Sequence, residues 1–349
     1  MPTRIISRIL DYAIKEKASD IHLAEWFPLS FRIHWELVKL PDSSTIDENK
    51  IKIIINELFN WNKADIDNFY KVKDSDFAYT SYDWTSFRVN WYFKMHKPAF
   101  VFRKIEKNPL SVEKLWLPKW AWLFSTLKQW LILVTWPTWS WKSTTMVAIL
   151  EQINKTRAEH IITVEDPIEF IFENKKSIFS QRELWRDTKS FHSALRAAMR
   201  EDPDIIMVWE MRDKETVEAA LELAETWHLV ISTLHTSSAV QTIIRLLSFF
   251  PLESQNAVSE KIASSLQWVI SQRLIPRADW NWRVGIYELM IANTWIVNQI
   301  RMWTINQMQW TIETWSKDWM ITMKAFADDL AEKWIINKED YIHYFKKED

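Results

Sequence analysis

Lys142 and Ser143 stand side by side after the loop Trp136-Pro137-Thr138-Trp139-Ser140-Trp141, which follows an apolar run from Leu131 to Thr135. A lysine and a hydroxyl at the start of a helix are suited to bind a polyphosphate. The ammonium reaches the β- and γ-phosphates and the hydroxyl ligates Mg2+. The loop before such a pair needs glycines, so that consecutive backbone N–H groups turn toward the phosphates and add to the helix N-terminus behind them. Here tryptophan occupies 136 and 141, the two glycine positions of the pattern GxxxxGK[ST], and 139 between them. With Trp read as Gly the loop is complete, and Thr144 continues it into the helix.

The composition supports that reading. The chain has 349 residues, with 24 tryptophans and a single glycine, whereas average usage of about 7% would give this length roughly 24 glycines. Tryptophan favours cores and interfaces, yet it falls here in the turn-like stretches Asp83-Trp84-Thr85, Asp279-Trp280-Asn281-Trp282 and Glu313-Thr314-Trp315-Ser316. Trp227 and Trp334 each follow a helical run, where a helix C-terminus wants a residue with positive φ. The expectation is a gene from an organism that reads one stop codon as glycine, with tryptophan written in its place. The alternative is a truly tryptophan-rich scaffold with a ruined loop, because an indole at 136 or 141 would clash with that backbone and with phosphate. Residues are named below as printed.

Four further groups can do chemistry. The strand His160 to Val164 ends in Glu165-Asp166-Pro167-Ile168-Glu169, where a carboxylate can hold Mg2+ through water or take a proton from an attacking water. Alone, Glu-Asp-Pro more often begins a turn or helix. The apolar strand Asp204 to Val208 delivers Glu210 after Trp209, placing an acid near the metal; capping of a strand is the plainer reading. His228 and His235 bracket Leu229 to Leu234. Zinc is improbable for that pair, since neither a cysteine nor a third nearby histidine completes a ligand set, so they are read as phosphate-sensing or linking groups. Arg88 and Arg103 lie on strands of the N-terminal part, placed to stabilise transition-state charge from across a boundary or to make surface ion pairs.

Positioning these groups calls for two folding units. Ile5, Ile6, Ile9, Leu10 and Ala13 mark one face of a helix. Strands are predicted at 20–23, 30–34, 37–40, 77–81, 86–93 and 99–105, with a helix from Asp47 to Phe59. A linker follows near Lys107-Asn108-Pro109-Leu110. Strands at 131–135, 160–165, 204–208 and 229–234 then alternate with helices, which predicts an α/β domain with a mostly parallel sheet. Each of these strands ends at a chemically loaded residue, and open α/β sheets bind ligands beyond the carboxyl ends of their strands. Beyond about 238 the chain reads as mainly helical, apart from a short hairpin around Arg273 to Glu288.

Composition excludes several classes. Reading Trp as Gly lowers the hydrophobic share from 48% to about 41% and aromatics to about 7%, ordinary for a globular protein. A net charge of −2 gives no reason to expect nucleic acid. The lack of cysteine excludes disulfides and Cys-ligated zinc. Met1 to Asp20 is charged and amphipathic, unlike a secretion signal. Leu115 to Trp136 resembles an interfacial helix as printed, but read with glycines it falls far short of the ~20 apolar residues of a membrane span.

The chain resembles the type IV pilus retraction (twitching-motility, PilT-like) ATPases of the secretion ATPase superfamily. The resemblance runs nearly end to end, through 18–23, 86–90, the phosphate loop, 163–170, 181–188, 194–204, 208–213 and 224–236. Most tryptophans in these stretches meet a family glycine. It implies a PAS-like α+β domain over 1–106, a linker over 107–112, and a RecA-like P-loop ATPase domain over 113–349 with a helical C-terminal part. It further implies ATP with Mg2+, a ring homo-hexamer, an inner-membrane pilus platform protein as partner, and a cytoplasmic place at the inner face of the membrane. Carried over by position, the nucleotide-binding set is Trp136, Pro137, Thr138, Trp139, Ser140, Trp141, Lys142, Ser143 and Thr144, with Arg88 and Arg103. Glu165 becomes the catalytic glutamate, Glu210 the metal-site acid with Ser143, and His228 and His235 the histidine-box residues; which of Glu165 and Glu210 is the base stays open, with Glu165 favoured. One departure concerns output. The family's retraction helix is arginine-rich, whereas here Asn298, Ile300 and Arg301 are kept but Val297 and Met302 replace an arginine and a glutamate. A pilus-assembly or type II secretion ATPase is the rival reading, although those usually carry a longer N-terminal region and a four-cysteine module.

Overall fold

The computed structural model describes residues 4–33, 36–40, 45–82, 85–105, 115, 117, 121–124, 126–135, 142–279, 283–315 and 319–345. The loop residues Trp136, Pro137, Thr138, Trp139, Ser140 and Trp141, the side chains of Lys142 and Ser143, and the linker 107–112 lie outside the described residues. Two units divide the chain: Met1–Asn108 with Pro167–Ile171, and Pro109–Asp166 with Phe172–Asp349. The five residues 167–171, which the sequence reading gives to the ATPase domain, thus pack with the first unit.

In the first unit α1 (Ile5–Lys15) buries Ile6, Ile9, Leu10 and Ala13, the face read from the apolar spacing. Its first N–H groups have no partner within the helix. Glu57 supplies one, accepting from Ile5 and Ile6 at 3.1 and 2.9 Å. The strands β1 (Asp20–Ala24), β2 (Ser30–Ile33) and β3 (Glu36–Lys39) come next, then α2 (Glu48–Leu58) and α3 (Lys63–Val72). Asp47 caps α2 by accepting from the Lys50 N–H. β4 (Asp74–Thr80), β5 (Ser86–Lys94) and β6 (Lys97–Lys104) complete an antiparallel sheet of order β3-β2-β1-β6-β5-β4. The register sets Arg32, Asp20, Arg103 and Arg88 beside one another on successive strands. Helix α3 was not expected; it buries only Phe69.

The second unit begins with α4 (Ala121–Phe124), β7 (Trp130–Thr135), α5 (Lys142–Thr156), β8 (His160–Glu165) and β9 (Ile178–Glu183). It continues through α6 (Phe191–Ala198), β10 (Ile205–Val208), α7 (Lys214–Glu225), β11 (Leu229–Leu234), α8 (Ala239–Ser248) and α9 (Leu252–Ser265). β12 (Leu266–Pro276), β13 (Arg283–Ile291), α10 (Thr294–Arg301), α11 (Met308–Thr314), α12 (Met323–Glu332) and α13 (Lys338–Phe345) follow. The sheet order is β13-β12-β7-β11-β10-β8-β9, parallel except for the antiparallel edge strand β13. β10 and β11 are buried along their whole length, as the strands of a parallel sheet covered on both faces must be.

Two expectations need correction. The hairpin read at 273–288 spans 266–291, and β12 pairs with β7 inside the main sheet. Trp268 read as glycine interrupts the apolar run, which hid the first half of that strand. β9 escaped notice because its residues are mostly half-exposed.

Among the described residues, eight tryptophans have positive φ: Trp26, Trp61, Trp130, Trp185, Trp227, Trp303, Trp319 and Trp334, between 58° and 91°. A side chain there costs roughly 1–2 kcal/mol. Eight such sites would cost on the order of 10 kcal/mol, comparable with the ~5–15 kcal/mol that keeps a whole domain folded. Glycine enters this region freely. Seven of the eight are exposed, Trp334 at 88% and Trp227 at 79%, so the indoles recover nothing by packing. The buried indole nitrogens of Trp91 and Trp268 find no hydrogen-bond acceptor, unlike most buried tryptophans.

Candidate active site

Because β7, β8, β10 and β11 run parallel, their carboxyl ends form one edge. The register pairs Val164 with Val208, Val208 with Ser232, and Leu234 with Thr135. Glu165, Glu210 and His235 therefore emerge along the same edge, where β7 also leads into the phosphate loop.

Glu165 is 1% exposed. Its Oε1 accepts from the Thr163 hydroxyl at 2.7 Å and from Gln181 Nε2 at 3.0 Å. Glu210 is also buried, and its two oxygens face different partners. His235 Nε2 lies 3.3 Å from Oε1, and Arg212 Nε donates to Oε2 at 2.9 Å. Arg212 reaches on to Asp166 Oδ2 at 3.4 Å, so one guanidinium spans the ends of β8 and β10. The backbone supports this pairing: the Trp209 N–H donates to Val164 O and the Met211 N–H to Thr233 O.

Buried hydroxyls tie α5 and β7 to β12. Thr144 on α5 is half-buried, and the next residue, Thr145, donates to Gln272 Oε1 at 2.7 Å. Thr135 and Ser271 share a hydrogen bond of 3.1 Å between β7 and β12. Burial pushes the nearby Tyr287 hydroxyl far up, with a smaller opposing effect of its hydrogen bond with Thr145, so it stays protonated.

The structure does not bring His228 to this edge. It precedes β11, and its Nδ1 lies 3.0 Å from Leu223 O and 3.1 Å from Thr226 Oγ1, closing the turn after α7. A six-residue strand at ~3.3 Å per residue separates it from His235 by about 20 Å. Two histidines that bracket one strand sit at its opposite ends, and only His235 stands at the carboxyl end.

Arg88 and Arg103 are direct partners across β5 and β6. Like charges so placed repel, and each is offset by acids of its own unit. Arg103 Nε meets Asp20 Oδ1 at 2.8 Å. Arg88 lies 3.6 Å from Asp76 and 3.7 Å from Glu169. Sequence reasoning missed Arg212 and Gln181 as site residues; Arg212 carries a signal, a cation two residues beyond a strand-end acid, whereas Gln181 lies on the unexpected strand β9.

The fold and this row of acids define a RecA-like ATPase domain joined to an N-terminal α+β domain. Residues 2–310 match the family described as Type II/IV secretion system protein, and the chain belongs to that family. It is 39% identical over 337 residues to the type IV pilus retractation ATPase PilT of Pseudomonas aeruginosa, covering 96% of each chain. It is 37% identical over 337 residues to the twitching motility protein of Neisseria gonorrhoeae, covering 96% of this chain and 88% of that one. The crystal structure of the pilus retraction motor PilT with bound ADP superposes with a TM-score of 0.88 at 40% identity, over 97% of this chain and 96% of that one. The ATPase DotB of Legionella pneumophila gives 0.85 at 26% identity, over 99% and 97%.

Proposed function

We propose that this protein is an ATP-hydrolysing motor that drives retraction of a type IV pilus. The observation that carries the reading is the near full-length similarity to PilT in sequence and fold, together with Glu165, Glu210 and His235 along the edge that follows the phosphate-loop motif. In this reading positions 136, 139 and 141 are glycines in the natural protein. Their backbone N–H groups cradle the phosphates of ATP, and Lys142 neutralises them. The eight positive-φ tryptophans support the renaming independently of the loop.

Glu165, buried and held by two donors, is the general base that takes a proton from the attacking water. Its geometry suits that task better than that of Glu210, whose oxygens face a histidine and an arginine. Glu210 and Asp166 offer hard carboxylate oxygens. Such a set fits Mg2+, which keeps several waters and takes one or two carboxylates beside the substrate phosphates; Ser143 supplies the remaining protein oxygen. When bound, the metal neutralises charge on the β- and γ-phosphate oxygens. His235 orients Glu210, and Arg212 ties Glu210 to Asp166.

The working assembly is a homo-hexamer, in which Arg88 and Arg103 of one copy approach the nucleotide of the next. The domain assignment is 1–106, a linker at 107–112, and 113–349. Force passes to an inner-membrane pilus platform protein from the cytoplasmic face. No helix among the described residues is long and apolar enough to cross a membrane, which fits a peripheral place. On α10, Arg301 makes a solvent-exposed ion pair with Glu260 of α9 at 2.9 Å.

The test is ATP turnover by the chain made with glycine at its tryptophan positions. Lys142→Ala should abolish turnover and leave the oligomer assembled; normal turnover in that variant overturns the site assignment. Peptide masses of the natural polypeptide over 136–141 should show glycine, and indole masses there would end the renaming.

A further inference from the structure

Two hydrogen bonds of Gln181 orient its side-chain amide. Its Oε1 accepts from the Phe172 N–H at 2.9 Å. The acceptor end of the amide is thereby identified, since a backbone N–H can only donate. Its Nε2 must then point the other way, and it donates to Glu165 Oε1 at 3.0 Å. The β8–β9 register places Gln181 directly beside Thr163. Thr163, two residues before Glu165 on the same face of the strand, donates to the same oxygen at 2.7 Å. One carboxylate oxygen of a 1% exposed glutamate thus receives two donors from adjacent strands.

The chain path gives the second bond its meaning. Beyond Glu165 and Asp166 the chain leaves the second unit, packs as 167–171 with the first, and returns at Phe172. Gln181 therefore bonds Glu165, two residues before this excursion, and Phe172, the first residue after it.

We propose that Gln181, assisted by Thr163, is a positioning residue for ATP hydrolysis, holding the Glu165 carboxylate in one orientation against the water it activates. The inference rests on the reading of Glu165 as the base. Gln181 touches neither nucleotide nor water in this account; it acts through Glu165. Removing a donor lets the carboxylate turn, and misplacement of a reacting group by about 1 Å costs up to ~100-fold in rate.

The experiment uses the full-length chain with glycine at its tryptophan positions and measures ATP hydrolysis across a range of ATP concentrations. Gln181→Met, nearly the same size and without a donor, should lower kcat roughly 10- to 100-fold and leave the KM for ATP unchanged. Gln181→Glu should not restore the rate, because it adds a like charge beside Glu165. Thr163→Val removes another donor to the same oxygen and should lower kcat in the same way, which keeps the test open if a Gln181 variant fails to fold. Glu165→Gln is the control. If it is inactive and kcat keeps the parent value in Gln181→Met and Thr163→Val, the positioning role is wrong and the base assignment stands. If Glu165→Gln turns over ATP normally, the base assignment falls and the inference falls with it.

Discussion

Glu210 has its two carboxylate oxygens divided between His235 and Arg212, and this division separates two histidines that look equivalent in the chain. His235→Ala should lower ATP turnover about 10-fold or more, by leaving Glu210 without one of its orienting partners. His228→Ala should leave turnover unchanged and cost about 1 kcal/mol in stability, from lost hydrogen bonds to Leu223 O and Thr226 Oγ1. Equal loss of activity in the two variants, measured beside thermal melts, would contradict the geometry. The acids at strand ends were legible because apolar runs that stop at a carboxylate are visible in one dimension. Ligands of open α/β sheets bind beyond the carboxyl ends of the strands, so the place of His228 before β11, away from that end, was legible too. Gln181 and Arg212 act through side-chain contacts between strands, and no periodicity reports those.

Elements were legible where burial follows a simple period. The helix at Ile5–Lys15 and the four strands around the site came through because their apolar spacing is regular. β12 and β13 were shortened because tryptophan at 268 reads as a break and the pair carries Ser271, Gln272, Arg273 and Glu288 within it. The β13 residue Gly285, the chain's single glycine, faces an independent test. A Cβ there would press into the hydroxyl and ring of fully buried Tyr287. Gly285→Ala should therefore destabilise the second unit by about 1–3 kcal/mol, the usual cost of overpacking, and an unchanged denaturation midpoint would contradict that packing.

In the first unit, β1 carries His22, whose pKa lies below the ordinary histidine value. Burial is the main cause, and Arg32 and Arg103 add to it against the opposing pull of Asp20. A folded-state pKa below the unfolded one means that the unfolded chain binds more protons as acidity rises. The contribution of His22 is full above about pH 6.5 and is lost as pH falls toward the folded value. Melting of the full chain between about pH 7.5 and 5.5 should show this loss, and His22→Gln should lessen it. Parallel pH slopes for the two proteins would contradict the assignment.

At the scale of the whole molecule, the chain passes between its two units directly beside the candidate base. The residues directly after Glu165 and Asp166 pack with the first unit before the chain returns at Phe172. That excursion was invisible in the sequence, because Pro167 to Ile171 looks like an ordinary continuation of the acidic segment. The division into an α+β unit and a RecA-like unit was legible from the change of pattern near residue 110, since alternating strands and helices demand a parallel sheet. Both units depend on the same feature of the chain. Positions printed as tryptophan take backbone conformations natural to glycine, and three more tryptophans occupy the loop proposed to hold ATP. The most direct measurement is ATP hydrolysis by two full-length proteins that differ only at 136, 139 and 141. The protein with glycine at all three should hydrolyse ATP, and the protein with tryptophan should be inactive. Equal turnover by both, or turnover by neither, would contradict the account.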